Sequence, residues 1–185
     1  MANQITRTLI TPRSLTVGLS LAFAGSILMA LMAQIRIYIP FSPIPITGQT
    51  FGVLFLGAVL GGKIGALSMV IYIAEGMSGI PVFAGVGSGP AYLLGPTGGY
   101  LIGFIPAAFL VGVMHERGWG GKIWTSASIM ILGTAIIFAF GIAGLTLTTG
   151  FIYALEIGLY PFIPGAILKI LFSTGLTATL NRPDH

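Results

Sequence analysis

Long apolar runs alternate along this chain with short breaks that carry charge, proline or glycine. Residues 15–34 hold no charge and lie between Arg13 and Arg36. About 20 predominantly apolar residues cross the hydrocarbon core of a bilayer as a helix, so this run predicts a membrane span. Residues 92–114 and 123–147 predict two more, and residues 159–180 a last one, interrupted only by Lys169. Two shorter runs, residues 49–62 and 64–75, lie in between. The first would make roughly 21 Å of helix at about 1.5 Å per residue. Each therefore crosses only with help from its flanks, or by pairing with its neighbour as a short hairpin. The pattern predicts an all-α polytopic membrane bundle of about six helices, forming a single domain over residues 1–185.

Charge placement tests this count. With residues 1–13 as a short cytoplasmic segment, one side receives Arg7, Arg13, Lys63, Arg117, Lys122 and Arg182, and the other only Arg36. Such asymmetry follows the rule that cytoplasmic loops carry the excess of Lys and Arg. It predicts cytoplasmic N- and C-termini, with Glu75 and Glu156 outside.

Composition agrees. Hydrophobic residues make up 55% of the chain and charged residues 6%, against about 25% charged in soluble domains. The pI of about 9.7 does not point to nucleic acid, because the basic residues are scattered rather than gathered on one face. With no cysteine, and only His115 and His185 as imidazoles, no disulfide, thiolate chemistry or metal site is expected. A cleaved leader is not expected either, since the first apolar run is long and no small-x-small site follows it.

Two outer segments carry the functional information. Ile39-Pro40-Phe41-Ser42-Pro43-Ile44-Pro45-Ile46-Thr47 has three prolines in six residues, which forbids a continuous helix and favours extended backbone. Residues 76–100 are apolar, uncharged and rich in glycine and proline. Irregular backbone cannot face lipid; it is buried in protein or lines a cavity. These segments are either membrane-surface loops or the lid and wall of a substrate cavity open to the outside.

Lys169 lies inside the last run. A lysine at mid-span costs at least about 2.5 kcal/mol on insertion scales and normally marks a function. Snorkelling to the inner interface would take it past eleven residues to Leu180, roughly 16 Å, beyond the reach of its stem. An ammonium there would attract an anionic ligand group. In the first run, Gly18, Ala22, Ser26 and Ala30 repeat every four residues, a small-residue face that lets another helix approach closely. It serves either internal packing or docking to a separate membrane subunit.

Several motifs fail. Gly57 to Lys63 nearly forms a phosphate-binding loop, but Ile64 stands where Ser or Thr is required. His115-Glu116 begins a zinc motif, and Trp119 stands at the second His. Ser88 lacks the glycine spacing of a hydrolase nucleophile. No enzyme is expected, nor a cofactor, and the chain has no means of hydrolysing ATP itself.

Four stretches are similar to the BioY family, the biotin-binding S components of energy-coupling-factor (ECF) transporters. They are Ile39 through Thr50; Glu75-Gly76 with Gly79-Ile80-Pro81-Val82-Phe83-Ala84-Gly85; Gly95 through Phe104; and Pro161-Phe162-Ile163-Pro164-Gly165 with Lys169. The resemblance implies a six-helix subunit of the bacterial plasma membrane with a vitamin pocket near its outer face. It implies biotin as ligand, with a transmembrane coupling subunit and two cytosolic ATPases as partners, docked through the first helix at Gly18, Ala22, Ser26 and Ala30. A homo-oligomer stays open. Tyr38, Phe41, Phe83 and Tyr100 would supply apolar walls, and Gln49, Thr47 and Ser88 polar contacts. Lys169 would hold the carboxylate or organise the polar end.

One position departs from the family pattern, which places an acid in Pro-Gly-Asp before the lysine; here it is Ala166. Losing that carboxylate removes one charge-assisted hydrogen bond, about 1.5–3 kcal/mol, or roughly ten- to a hundredfold in affinity. Glu75, Gln49 or Glu156 would have to compensate, or the ligand differs. The alternatives are an S component for another small vitamin, and a structural membrane subunit or passive pore.

Overall fold

The computed structural model describes residues 14–38, 40 and 42–180. The N-terminal segment before Ser14, Ile39 and Phe41 lie outside the described residues.

Ser14 starts the first helix: its side chain accepts a hydrogen bond from the Val17 amide at 3.3 Å, supplying one of the orphan N–H groups with an acceptor. Helix α1 (Leu15–Gln34) stops at Ile35, whose backbone is extended. A two-stranded antiparallel ribbon follows, β1 (Arg36–Ile37) with β2 (Ile46–Thr47), pairing Arg36 with Thr47 and Ile37 with Ile46. The proline segment is the loop of this ribbon. Its Ser42 Oγ donates to the Ile157 carbonyl at 2.7 Å, which pins the loop to the far side of the bundle.

Helix α2 (Gln49–Met77) is broken at Gly61, where φ is 81° and ψ 171°. The break is a reversal. Gln49 Nε2 donates to Tyr72 Oη at 2.8 Å, whereas 23 residues of straight helix would separate them by roughly 34 Å. Residues 49–60 and 62–77 therefore run antiparallel as a hairpin. Its arms meet where Gly57 and Gly65 lack side chains; a Cβ on Gly65 would stand 3.0 Å from Gly57 Cα. At roughly 18 Å and 24 Å, each arm is short of a full crossing of about 30 Å.

After an irregular segment containing α3 (Pro90–Leu93), the chain forms α4 (Gly98–Glu116), α5 (Ile123–Thr149), α6 (Phe151–Gly158) and α7 (Ile163–Leu180). Helix α4 starts later than the hydropathy predicts, because Pro96 and the turns before it keep residues 94–97 out of the helix. The last crossing is longer than predicted and bent. Gly150 at φ 83° breaks it from α5, and a 3₁₀ turn at Tyr160–Phe162, containing Pro161, separates α6 from α7.

In chain order the bundle is α1, the two short arms of α2, α4, α5, and the bent pair α6 and α7. The fold is a membrane helical bundle with the α2 hairpin and α4 at its centre; Val53, Leu54, Met69, Ala107, Ala108 and Val111 are fully buried there. The outward face of α1 is apolar and exposed at Leu19, Phe23, Ile27 and Leu31, as lipid contact requires. At one end of the bundle the amide of Gly62 donates to Glu116 at 3.0 Å. This ties the hairpin tip to the end of α4 and brings Lys63 beside the connection that carries Arg117 and Lys122. The ribbon and Arg36 occupy the opposite end.

The small-residue face of α1 points inward. Gly18, Ala22 and Ser26 are buried and Ala30 is partly buried against the core. Ser26 Oγ donates to Glu75 Oε1 at 3.1 Å. In the isolated chain this face, expected to dock a separate subunit, packs against the α2 hairpin.

Candidate functional site: a polar-ended aromatic cavity

The site is built where the ribbon, the hairpin and α7 converge. Pro43 and Pro45 keep the approach to β2 extended, and Gly48 turns the chain into α2. Thr47 and Gln49 then fold against each other: the Gln49 amide donates to Thr47 Oγ1 at 3.3 Å, and that hydroxyl donates to Gln49 Oε1 at 3.0 Å. The other end of the Gln49 side chain donates to Tyr72, whose hydroxyl donates onward to the Val82 carbonyl at 3.2 Å. Gln49 is 5% exposed. Burial of so many polar groups is tolerated because each has a partner.

From the other side, Lys169 Nζ donates to the Thr47 carbonyl oxygen at 2.5 Å. Ala166, one helical turn earlier on α7, shares the face of Lys169. Both line a cavity of about 630 Å³, counting the part open at its mouth. Ile44, Thr47, Gln49, Thr50, Tyr92, Thr97, Tyr100, Leu101, Phe104, Phe138 and Phe162 form most of the remaining wall. Lys169 is the one charged residue among them.

The aromatic wall is held in place by its own contacts. Tyr100 donates to the Gly158 carbonyl at 2.7 Å and meets Phe138 edge-on at 6.4 Å between centroids. Phe138 in turn meets Phe162 at 6.5 Å. Gly141 leaves room for the Tyr100 ring, where any Cβ would collide. Tyr92 donates to the Ala84 carbonyl at 3.1 Å and stacks on Phe83 at 4.8 Å. An apolar wall with a few placed polar groups at one side suits an amphipathic small molecule.

The structure thus brings together Thr47, Gln49, Tyr100 and Lys169. It does not bring Phe83, Ser88 or Glu75 to the cavity surface. Phe83 is fully buried and backs Tyr92, with its edge toward Tyr72 at 5.5 Å. Ser88 is exposed in the loop before α3, and Glu75 faces Ser26 on α1. Tyr38 is 65% exposed beneath the Arg36 guanidinium. Phe41 lies outside the described residues. Tyr92, Phe104, Phe138 and Phe162 are wall residues that sequence reasoning did not single out. Phe162 lies in a motif already quoted, but Phe138 sits in a run where pocket-facing and lipid-facing aromatics look alike.

A model of the BioY family matches residues 4–183. This chain belongs to the BioY family. The "Probable biotin transporter BioY" of Pyrococcus horikoshii is 43% identical over 137 residues, covering 74% of this chain and 79% of that protein. The "Biotin transporter BioY" of Thermotoga maritima is 35% identical over 160 residues, covering 86% and 94%. The BioY fold is also matched by a solved structure, described as the S-component for biotin from an ECF-type ABC transporter. It aligns with a TM-score of 0.82 at 25% identity, over 94% of this chain and 95% of that one. A BioY chain is therefore a multi-pass transporter subunit, and the cavity beside Lys169 is its candidate ligand site.

Proposed function

We propose that this chain is the substrate-binding membrane subunit of a biotin uptake system in a bacterial plasma membrane. The observation that carries the reading is the junction of Lys169, Thr47 and Gln49 at one side of an aromatic cavity. Biotin is amphipathic, with a polar bicyclic end and an aliphatic acid chain. The ureido oxygen can accept from Lys169, and the ureido N–H groups can donate to Gln49 Oε1 or Thr47 Oγ1. Tyr100, Phe104, Phe138 and Phe162 would cover the thiophane ring and the chain. The names borne by its relatives support biotin over other vitamins.

In this reading the partners are a transmembrane coupling subunit and two cytosolic ATPases. Biotin enters past the ribbon loop and the segment before α3. ATP hydrolysis in the partners then reorients the bundle to release ligand inside. A partner that meets α1 meets Phe23, Ile27 and Leu31 rather than the small-residue face. Ala166 favours a second reading, an S component for a related vitamin, because no carboxylate faces the ureido donors.

Uptake of labelled biotin tests the proposal in cells that lack their own biotin importer and express this chain with and without the coupling subunit and ATPases. Saturable uptake that disappears in Lys169→Ala supports it. Uptake no greater than in empty cells contradicts it.

A further inference from the structure

Arg36 is a basic residue that the site as described leaves unused. It begins β1 directly opposite Thr47, and directly opposed residues of an antiparallel pair carry their side chains on the same face. Thr47 lines the cavity, so Arg36 is carried on the cavity side of the ribbon. Its guanidinium lies over the Tyr38 ring, 5.4 Å from the centroid. Its Nη1 is buried and has no hydrogen-bond partner among the described residues. Gly85 packs against that nitrogen, where a Cβ would intrude on it and stand 3.4 Å from Tyr38 Oη. The next residue back, Ala84, lines the cavity, as does Tyr92, which is bonded to it.

A guanidinium stays charged, and a buried N–H of a charged group without an acceptor is costly. Lys169 already donates to the Thr47 carbonyl. Arg36 has a nitrogen without a partner among the described residues, on a planar fork that fits a carboxylate in two-point fashion. We infer that Arg36 receives the ligand's carboxylate at the rim of the cavity and makes the site prefer the free acid to its neutral derivatives. This rests on the biotin reading above, and it leaves Lys169 to the uncharged polar end.

The test is a comparison of biotin with biotinamide, in which the acid is replaced by an uncharged amide, on purified native protein and on Arg36→Gln and Lys169→Ala. Native protein is expected to bind the acid roughly ten- to a hundredfold more tightly than the amide, the span of one charge-assisted contact. Arg36→Gln is expected to collapse that ratio by weakening the acid alone. Lys169→Ala is expected to weaken both ligands and keep the ratio. Arg36→Lys, which keeps the charge, retains a preference for the acid and guards against misfolding of the glutamine variant. An unchanged ratio in Arg36→Gln, or a ratio lost in Lys169→Ala, overturns the assignment. Equal binding of both ligands by native protein also overturns it. Native protein that binds neither removes the biotin reading itself, a result distinct from the others.

Discussion

Gln49 and Tyr72 stand at the open ends of the two arms of one hairpin and are joined by a 2.8 Å hydrogen bond. The same glutamine faces Thr47, so hairpin closure and cavity geometry depend on one side chain. Tyr72→Phe keeps the ring against Phe83 but leaves Gln49 Nε2 buried without an acceptor. The expected cost is about 1–3 kcal/mol. Thermal unfolding in detergent measures the stability loss, and ligand titration should show weaker binding. Unchanged stability and binding would mean that the bond has no part in holding the site.

The reversal itself depends on Gly61, whose φ of 81° and ψ of 171° lie in a region that residues with a Cβ rarely enter. Gly61→Ala is expected to destabilise the subunit by about 1–3 kcal/mol. A melting temperature equal to that of the native protein would contradict the assignment of strain to this residue.

The inward face of α1 makes a separate prediction. Ala22 is fully buried against the hairpin, so Ala22→Leu should lower subunit stability by about 1–3 kcal/mol through overpacking. Substitution of Ile27 by Trp, on the exposed face, should leave stability and ligand binding intact and reduce coupled uptake. If Ala22→Leu left the melting temperature unchanged and abolished only uptake, the docking surface would be the small-residue face after all.

Ala166 lines the cavity one turn from Lys169. Ala166→Asp places a carboxylate where ureido N–H donors can reach it, and should tighten biotin binding by roughly tenfold or more, the lower bound for a charge-assisted bond. Calorimetric titration of both forms measures this. Weaker binding by the Asp form would mean that the native site is adapted to a neutral wall.

Much of this was legible in the sequence because membrane solvation imposes a simple pattern. Uncharged runs near 20 residues mark spans, and Lys169 stands out as the single charge within them. The two short runs left two readings open, spans extended by their flanks or a short hairpin, and the reversal at Gly61 decides for the hairpin. The proline run announced extended backbone, but its pairing into a ribbon follows from tertiary contacts that residue spacing does not encode. The small-residue face of α1 was visible, while its direction was not: a four-residue repeat has the same form whether the neighbour is the hairpin or another subunit. Phe138 was hidden for a related reason. In a membrane protein aromatics face lipid as readily as a pocket, so hydropathy cannot separate them. Glu75 was a candidate to replace the acid missing at Ala166; in the structure it faces Ser26 on α1.

The central claim is that the Lys169 end of the cavity binds biotin. Its most direct test is calorimetric titration of biotin into the purified native protein and into Lys169→Ala, with melting temperatures taken on both. The account predicts saturable binding by the native chain and a loss of roughly tenfold or more in the alanine variant at an unchanged fold, as expected for removing one charged partner. Absence of binding by a folded native protein, or equal binding by both forms, would contradict it.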